Sequence, residues 1–388
     1  MPLRVLLQYN CVPHYRARLF ELLCQQSDIH VTIAADSEPD TPFLRTISGG
    51  QERLFRHVCT VTKSCVLPGG VVLSWQPSAL TLMREQKPDA VIALGSVYSL
   101  TAWVLCVMGR LIHIPVLLWG HGLLGNETGI KWWIRRALYR LAAGHLLYGD
   151  YAQDLLAKKG FPRNTLSVVY NSLDYDLQAQ IASELKDHDI GTWRESIGVK
   201  PDERVVVFTG RLEPVKRLDM LVEAVGVLAK KGKRIHIVLV GEGRERTRLT
   251  RLAAERGLSD LIHFLGASYD ERFLGLVLGS SDLCVIPSGA GLSIMHALVF
   301  GTPVLLHNRS DAHFPEWEAV QEGITGFFYR YGKVDDMAEK MDVALFPYPK
   351  KAAMAEACKR VIRERYNPHR QVEIFADAIR RSIDRIAA

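Results

Sequence analysis

Short apolar runs alternate with amphipathic segments along the whole chain. Six runs rich in valine, isoleucine and leucine predict strands in the first half, at residues 4–9, 29–35, 89–94, 115–120, 145–149 and 166–170. Helical periodicity between them predicts helices at 15–24, 79–85, 100–110, 132–142 and 151–159. Strands that alternate with helices in this way are typical of a parallel sheet covered by helices on both faces.

The alternation stops in a polar, strongly charged stretch at 177–203 and then begins again. Five more runs predict strands at 204–210, 234–241, 261–266, 282–287 and 302–307, with helices between them that include 218–230 and 244–256. The pattern therefore predicts an α/β protein with two doubly wound, Rossmann-like domains. The length of 388 residues also indicates two domains, because it exceeds what one hydrophobic core commonly supports. The predicted parts are an N-terminal domain over 1–175, a helical connector over 176–200, a C-terminal domain over 201–366 and a C-terminal helix over 367–388.

Composition narrows the classes of protein and of ligand. The net charge of +6 is spread over both halves, which disfavours a dedicated nucleic-acid binder and suits a phosphate-bearing ligand or an anionic membrane surface. None of the seven cysteines forms a C-x-x-C pair, so neither a zinc site nor a disulfide framework is indicated. The longest apolar region, 97–119, is interrupted by Gly109, Arg110 and Pro115, and is interpreted as a helix followed by a strand. We expect a cytoplasmic protein.

The richest candidate chemistry lies in the segment "VVVFTGRLEPVKRLDMLVEAV". Ligands of open α/β sheets bind beyond the carboxyl ends of the strands. Here a buried strand ends at Gly210, where a ligand can approach the backbone, and Arg211 follows it. Lys216 comes just before the next helix. Two cations on one strand-to-helix turn can hold the two phosphates of a diphosphate, aided by the amides of the helix N-terminus. The alternative is a solvated basic turn.

The second half of the chain resembles, segment after segment, the GT-B glycosyltransferases of the large family 4 group. The segments that carry the resemblance are 209–225, 236–266, 280–288, 296–305 and 315–329, together with "VVYNSLDYD" at 168–176. The resemblance implies two domains that face a cleft, with the C-terminal helix crossing back to the first domain. It also implies transfer of a sugar from a nucleotide diphosphate sugar, with retention of configuration, no metal and no further cofactor.

The resemblance assigns roles to residues of the second domain. Arg211 and Lys216 would bind the donor diphosphate and stabilise it as it leaves. The pair of glutamates that is usual in the family is replaced by Ser288, at the position that contacts the donor sugar, and by His296, at the position that contacts the ribose. The remaining predicted donor contacts are Gly210, the amides of Gly289, Ala290, Gly291 and Leu292, and Glu316.

In the first domain, the stretch "LLWGHGLLGN" is the strongest candidate. A predicted strand ends in His121 between two glycines, and the family often has a histidine here near the donor sugar. A neutral imidazole at this place would hydrogen-bond the sugar or the attacking hydroxyl. Arg16 and Arg18, near the start of the first helix, are interpreted as solvated residues; the alternative is contact with an anionic acceptor.

Two further hypotheses concern the partners of the protein. The basic segment "KWWIRRALYR" at 131–140 suits either a helix on an anionic bilayer or one packed on the sheet with a charged outer face. Membrane contact would point to a lipid-linked or cell-envelope saccharide as acceptor, at the cytoplasmic face. The missing glutamates leave open a retired GT-B subunit that binds carbohydrate or a partner protein. The doubly wound sheets alone suggest a nicotinamide-dependent oxidoreductase, and the lone "GEG" at 241–243, which lacks the third glycine, disfavours it. Asp174 and Asp176 are interpreted as connector residues rather than metal ligands.

Overall fold

The computed structural model describes residues 1–36, 56–346 and 351–387. The chain forms two compact units, here called unit 1 (Met1–Asp174 with Asn367–Ala388) and unit 2 (Tyr175–Tyr366). Each unit is built on a parallel sheet of alternating strands and helices, so the two predicted doubly wound domains are confirmed. Residues 176–200, predicted as a connector, lie within unit 2, where they form two helices that pack on a later helix of the same unit.

Unit 1 contains a parallel sheet of seven described strands and a separate two-stranded hairpin. In chain order its strands are β1 (Leu3–Cys11), β2 (Ile29–Asp36), β3 (Arg56–Thr60), β4 (Lys63–Val66), β5 (Val72–Trp75), β6 (Ala90–Leu94), β7 (Val116–Gly120), β8 (Gly144–Leu147) and β9 (Leu166–Val168). The sheet order is β3-β2-β1-β6-β7-β8-β9, and β4 pairs antiparallel with β5. The strand order reverses between β1 and β6.

Helices cover both faces of this sheet. Those before residue 174 are α1 (Ala17–Cys24), α2 (Pro77–Gln86), α3 (Leu100–Leu111), α4 (Gly129–Leu141) and α5 (Asp150–Lys158). Side chains that alternate along the strands enter two separate apolar cores: Leu7 and Ile92 lie in one, Leu6 and Val91 in the other. This double burial explains why the predicted strands are continuous apolar runs.

Unit 2 repeats the plan with six strands in the order β12-β11-β10-β13-β14-β15, all parallel. They are β10 (Arg204–Thr209), β11 (Ile235–Val240), β12 (Ile262–Gly266), β13 (Leu283–Val285), β14 (Val304–His307) and β15 (Gly326–Tyr329). The helices are α6 (Tyr175–Glu184), α7 (Asp187–Ser196), α8 (Leu218–Ala229), α9 (Arg246–Glu255), α10 (Glu271–Gly279), α11 (Ser293–Val299), α12 (Val334–Leu345) and α13 (Lys351–Glu364).

The last helix, α14 (Pro368–Ala387), belongs to unit 1 and packs against α1. Val372, Phe375 and Ile379 recur on one face of α14 and enter the same core as Leu7. A hydrogen bond fixes its start, since Ser172 Oγ donates to Gln371 Oε1 at 2.5 Å. Among the helices described, none combines the length and the apolar character that crossing a bilayer requires.

Candidate functional site

The strand order of unit 2 brings two predicted segments together. The order reverses between β10 and β13, which pair through Val206 with Leu283 and through Val207 with Cys284. Because the two strands are parallel neighbours, their carboxyl ends lie side by side, and ligands of doubly wound sheets bind at such a point. The turn that begins at Gly210 follows β10, and residues 286–292 follow β13. The candidate site of unit 2 is therefore built from these two connections.

Lys216 joins the two connections directly. Its Nζ donates a hydrogen bond of 2.6 Å to the carbonyl oxygen of Gly289. Lys216 ends a 3₁₀ turn (Pro214–Lys216), and the next residue, Arg217, has the left-handed φ of 52° from which α8 begins. A non-glycine residue in this conformation is uncommon, and here it stands directly beside a candidate functional lysine.

Positive charge gathers around this turn. Burial and then the positive charge of Arg211 lower the pKa of Lys216. Arg217, by contrast, forms an ion pair with Asp219 at 3.1 Å. Half-buried Lys216 and exposed Arg211 thus concentrate positive charge at the carboxyl end of β10. Such an arrangement is costly without an anion and favourable with one.

The "GEG" motif has a packing role in the structure. A Cβ atom on Gly241 would lie 1.9 Å from the carbonyl oxygen of Gly210, and one on Gly243 would lie 2.3 Å from that of Leu212. The backbone after β11 therefore lies directly against the turn that carries Arg211. Leu212 N also donates to Glu242 O at 2.9 Å. The two glycines support the shape of the candidate site through close backbone packing.

The connection after β13 is held from the other side by residues 313 and 314. Ala290 is fully buried; its amide donates to His313 Nδ1 at 3.3 Å, and its carbonyl accepts from the Phe314 amide at 2.9 Å. The amide of Ala290, predicted as a donor contact, is thus bonded within the protein. Helix α11, which Leu292 precedes, is only seven residues long.

A carboxylate lies next to His296 although none stands near it in the sequence. Glu271, at the start of α10, places Oε2 at 3.0 Å from His296 Nε2 and accepts a second hydrogen bond from Gln178 at 3.1 Å. An ionised carboxylate only accepts, so the imidazole carries its proton on Nε2. Sequence reasoning missed Glu271, because only the packing of α10 and α6 beside α11 brings it here. Ser288, the other replacement, is half-buried.

Glu316 lies in a 3₁₀ turn (Pro315–Ala319) that follows the connection after β14. Its side chain is 3% exposed. A carboxylate that is buried to this degree lies mainly among protein atoms and exposes little surface to a ligand. Direct contact of Glu316 with a donor therefore stays a prediction.

In unit 1, the structure places His121 directly after β7, as the sequence predicts. Gly122, which follows it, has a left-handed φ of 65°. His121 is exposed, yet the protein atoms around its imidazole and then the charges of Arg16 and Arg135 lower its pKa to about 4. The ring lies 4.9 Å from the ring of Tyr148. At neutral pH this imidazole is uncharged and has both a donor and an acceptor nitrogen.

The prediction that Arg16 is solvated is wrong. Arg16 is 4% exposed, and its guanidinium carbon lies 4.6 Å from the ring centre of Trp119 and between 5.3 and 5.6 Å from three tyrosine rings. Nη2 donates to the Tyr148 hydroxyl at 2.8 Å. The rings come from the ends of β1, β7 and β8 and from the turn of Arg16 itself, so the cage forms only in the folded sheet. Arg18 is partly exposed and forms an ion pair with Glu21.

The outer surface of α4 is both apolar and basic. Ile130, Trp133 and Ile134 are 76%, 60% and 46% exposed. The guanidinium of Arg136 lies 5.2 Å from the Trp133 ring centre. Arg135 instead points inward to Glu127 at 2.8 Å. The helix therefore packs through part of its surface and presents tryptophan and isoleucine side chains with arginine outward, and contact with a membrane stays a prediction.

The described residues contain no group of three or more histidine, cysteine, aspartate or glutamate side chains placed to hold a metal ion. Asp174 and Asp176, interpreted from the sequence as connector residues, lie on either side of Tyr175, the residue at which α6 begins.

Comparison with known proteins finds a family match within the second half of the chain. Residues 189–361 match the model of the family described as glycosyl transferases group 1. A D-inositol 3-phosphate glycosyltransferase of Nocardia farcinica is 30% identical over 206 residues, which are 50% of this chain and 43% of that protein. An alpha-D-kanosaminyltransferase of Streptomyces kanamyceticus is 24% identical over 269 residues, 64% of this chain and 66% of that protein. The chain thus spans about half to two thirds of the length of these curated relatives.

A solved structure resembles the whole chain in fold. The crystal structure of HepE from Anabaena in complex with UDP matches with a TM-score of 0.71 and 18% identity, over 97% of this chain and 99% of that chain. The likeness extends over both units, so unit 1 shares this fold although the family match covers residues of unit 2 only.

Proposed function

We propose that the chain is a glycosyltransferase, because residues 189–361 match the model of the glycosyl transferases group 1 family and the chain has the GT-B fold. It transfers a sugar from a nucleotide diphosphate sugar to an acceptor hydroxyl, with retention of configuration and without a metal. Unit 2 binds the donor through Arg211 and Lys216, and His121 of unit 1 is a hydrogen-bonding group for a sugar hydroxyl. The observation that carries the proposal is the pair of positive charges, Arg211 and Lys216, at the strand-order reversal of unit 2.

The proposed chemistry is mainly electrostatic. When the bond between the sugar carbon and the diphosphate breaks, negative charge develops on the phosphate oxygen. Cations that are already fixed in place stabilise that charge without having to reorganise. Lys216 is fixed by its bond to Gly289, and Arg211 lies close enough to influence its pKa. The acceptor oxygen forms the new bond to the sugar carbon, and its proton passes to the departing diphosphate, so the mechanism assigns no protein base.

His121 fits a role as a hydrogen-bond partner of a sugar. Its imidazole is neutral at physiological pH, because its pKa is held near 4. A neutral ring hydrogen-bonds a sugar hydroxyl without adding a positive charge next to a sugar carbon that itself becomes positive. In the nucleotide part of the site, the His296 and Glu271 pair offers hydrogen-bond acceptors to ribose hydroxyls, because the Nε2 proton of His296 is already donated to Glu271.

Nucleoside diphosphate binding tests the proposal. Purified protein is screened by thermal shift with UDP, GDP, ADP, TDP and CMP, since a ligand that binds only the folded state raises the unfolding midpoint. UDP, which HepE holds in its structure, is the first candidate. Lys216→Met is expected to weaken binding by about 1–3 kcal/mol, as loss of a charge-assisted hydrogen bond does.

Arg217→Met is the matched control, because Arg217 is the adjacent cation but is already paired with Asp219. It is expected to cost less than about 0.5 kcal/mol of binding, the effect of an ordinary exposed charge. Equal losses in both variants, or no midpoint shift with any diphosphate, would remove the donor-site assignment. Binding without release of sugar from any nucleotide sugar would instead favour the retired subunit.

The acceptor side of the proposal rests on α4. Exposed isoleucine and tryptophan beside arginine suit the interface of an anionic bilayer, where the aromatic ring lies among headgroups. We therefore propose peripheral contact at the cytoplasmic membrane face, which would bring unit 1 close to a lipid-linked or cell-envelope saccharide. Sedimentation with phosphatidylglycerol vesicles is expected for the wild type and strongly reduced for Trp133→Ser, with Val343→Ser of unit 2 as the exposed apolar control. Equal sedimentation with phosphatidylcholine vesicles would refute the electrostatic part.

A further inference from the structure

The four residues 288–291, here called the donor loop, are held by hydrogen bonds from three directions. Lys216 Nζ donates to Gly289 O at 2.6 Å, and the Tyr329 hydroxyl donates to Pro287 O, just before the loop, at 2.8 Å. The third direction is the segment after β14, which bonds both polar groups of the Ala290 peptide backbone. Ala290 lies in the centre of the loop, next to the carbonyl that Lys216 contacts.

His313 makes the side-chain bond of this third attachment, and its ring is fixed at both nitrogens. The ring is 3% exposed. Nε2 lies 3.0 Å from the carbonyl oxygen of His307, and Nδ1 lies 3.3 Å from the Ala290 amide nitrogen. A carbonyl oxygen only accepts, so Nε2 carries the proton, and an amide N–H only donates, so Nδ1 carries the lone pair. Both bonds therefore require the same neutral tautomer.

His307 packs against one face of the His313 ring. The two imidazoles stack with centres 3.9 Å apart and planes inclined by 25°. His307 Nδ1 accepts from the Arg309 amide at 3.2 Å, which assigns its proton to Nε2 as well. Burial lowers the pKa of His307 to about 4, and burial is also the main cause that lowers the pKa of His313. Two neutral rings thus stack where two imidazolium ions would repel each other.

We propose that His313 is a positioning residue that fixes the donor loop, through the Ala290 amide, in the conformation that receives the donor diphosphate beside Lys216. This inference rests on the proposed function. His313 acts as a neutral hydrogen-bond acceptor and does not touch the donor. It sets the position of the carbonyl that holds Lys216, because Gly289 and Ala290 are consecutive. Without the acceptor, the buried Ala290 amide would lose its partner, and the loop would sample other conformations that bind the diphosphate less well.

Three substitutions of His313 separate this role from simple packing. Asparagine places an acceptor oxygen near the position of Nδ1, and glutamine places an amide nitrogen near the position of Nε2. Leucine fills the space without either. If His313 acts through Ala290, His313→Asn keeps nucleoside diphosphate affinity within about threefold, while His313→Gln and His313→Leu lose about tenfold or more. If the ring only fills space, glutamine, the larger side chain, is expected to preserve affinity better than asparagine.

Calorimetric titration of the full chain with the diphosphate that shifts its unfolding midpoint gives these affinities, and circular dichroism establishes the folded fraction of each variant. Binding to the wild type with equal affinity for His313→Leu, or a higher affinity for His313→Gln than for His313→Asn, overturns the role of His313. Absence of binding to the wild type overturns the proposed function itself. Nitrogen NMR of the wild-type imidazole supplies the second measurement: Nδ1 must be unprotonated and Nε2 protonated, and the opposite tautomer overturns the inference even if no variant folds.

Discussion

Replacing Arg16 by methionine removes a buried positive charge from beside His121. The pKa of His121 is about 4 rather than 6.5, with the protein atoms around the imidazole as the largest cause, Arg16 as the second and Arg135 as the third. All three causes lower the pKa of His121. Because Arg16 is only the second largest, it accounts for less than half of the lowering from 6.5 to about 4. Solvent screening at the exposed imidazole reduces the contribution of Arg16 further. We therefore expect Arg16→Met to raise the pKa of His121 by up to about 1 unit. Arg135→Met is expected to raise it by less.

Proton NMR of the His121 ring between pH 3 and 8 measures this directly, with His121→Gln used to assign the signal. Methionine approximates the length of the arginine stem and keeps contact with the surrounding rings. Because removal of a buried charge changes stability in either direction, the unfolding free energy of Arg16→Met is measured alongside. A His121 pKa that is unchanged in Arg16→Met, or one near 6.5 in the wild type, would refute the reasoning that the caged guanidinium keeps the imidazole neutral.

Two further predictions concern unit 2. Gly241→Ala is expected to destabilise the protein by about 3 kcal/mol or more, because its Cβ would lie 1.9 Å from Gly210 O, and denaturant unfolding measures this. Gly257→Ala, with a φ of 70° but open space around its Cβ, is the control and is expected to cost about 1 kcal/mol; similar losses would contradict the contact argument. Glu203 is 2% exposed; burial opposes its ionisation, but hydrogen bonds, first among them that of His236, lower its pKa to about 2. Its stabilisation is therefore complete above about pH 4.5 and is lost as the pH falls toward 2, and Glu203→Gln should flatten the acid limb of the unfolding free energy; an unchanged limb would exclude this carboxylate as its cause.

Most strands that the sequence predicts correctly are buried on both faces, although β12, an edge strand, is only partly buried. All six residues of β11 are buried, so the run "RIHIVLVG" carries an unambiguous signal. The strands that sequence reasoning missed are short: β3 and β15 end their sheets with five and four residues, and β4 and β5 form a separate two-stranded sheet in which β4 is exposed along its whole length. A strand that packs on one side only, or not at all, needs no continuous apolar run. Its hydrophobic pattern is correspondingly weak.

The residues of the candidate site also fall into those that the sequence predicts and those that it does not. Gly210, Arg211, Lys216 and His121 could be selected from the sequence, because they stand next to strand ends and parallel sheets place ligands there. The partners of these residues could not be selected. Glu271 reaches His296 from a helix 25 positions earlier in the chain, and no spacing rule connects the two.

The sequence by itself determined the two doubly wound sheets and the positions of the cations along the chain, because apolar periodicity and strand ends are local properties. Only the tertiary structure decided which charges are buried and which groups they contact. Arg16 carries the sequence signature of a solvated helix residue, yet rings from three separate strand ends enclose it. His313 likewise sits in an ordinary polar loop, and it becomes the support of Ala290 only when β14 lies beside β13. Burial and hydrogen-bond partners depend on groups far apart in the chain, and these decide what a charged or titratable side chain can do.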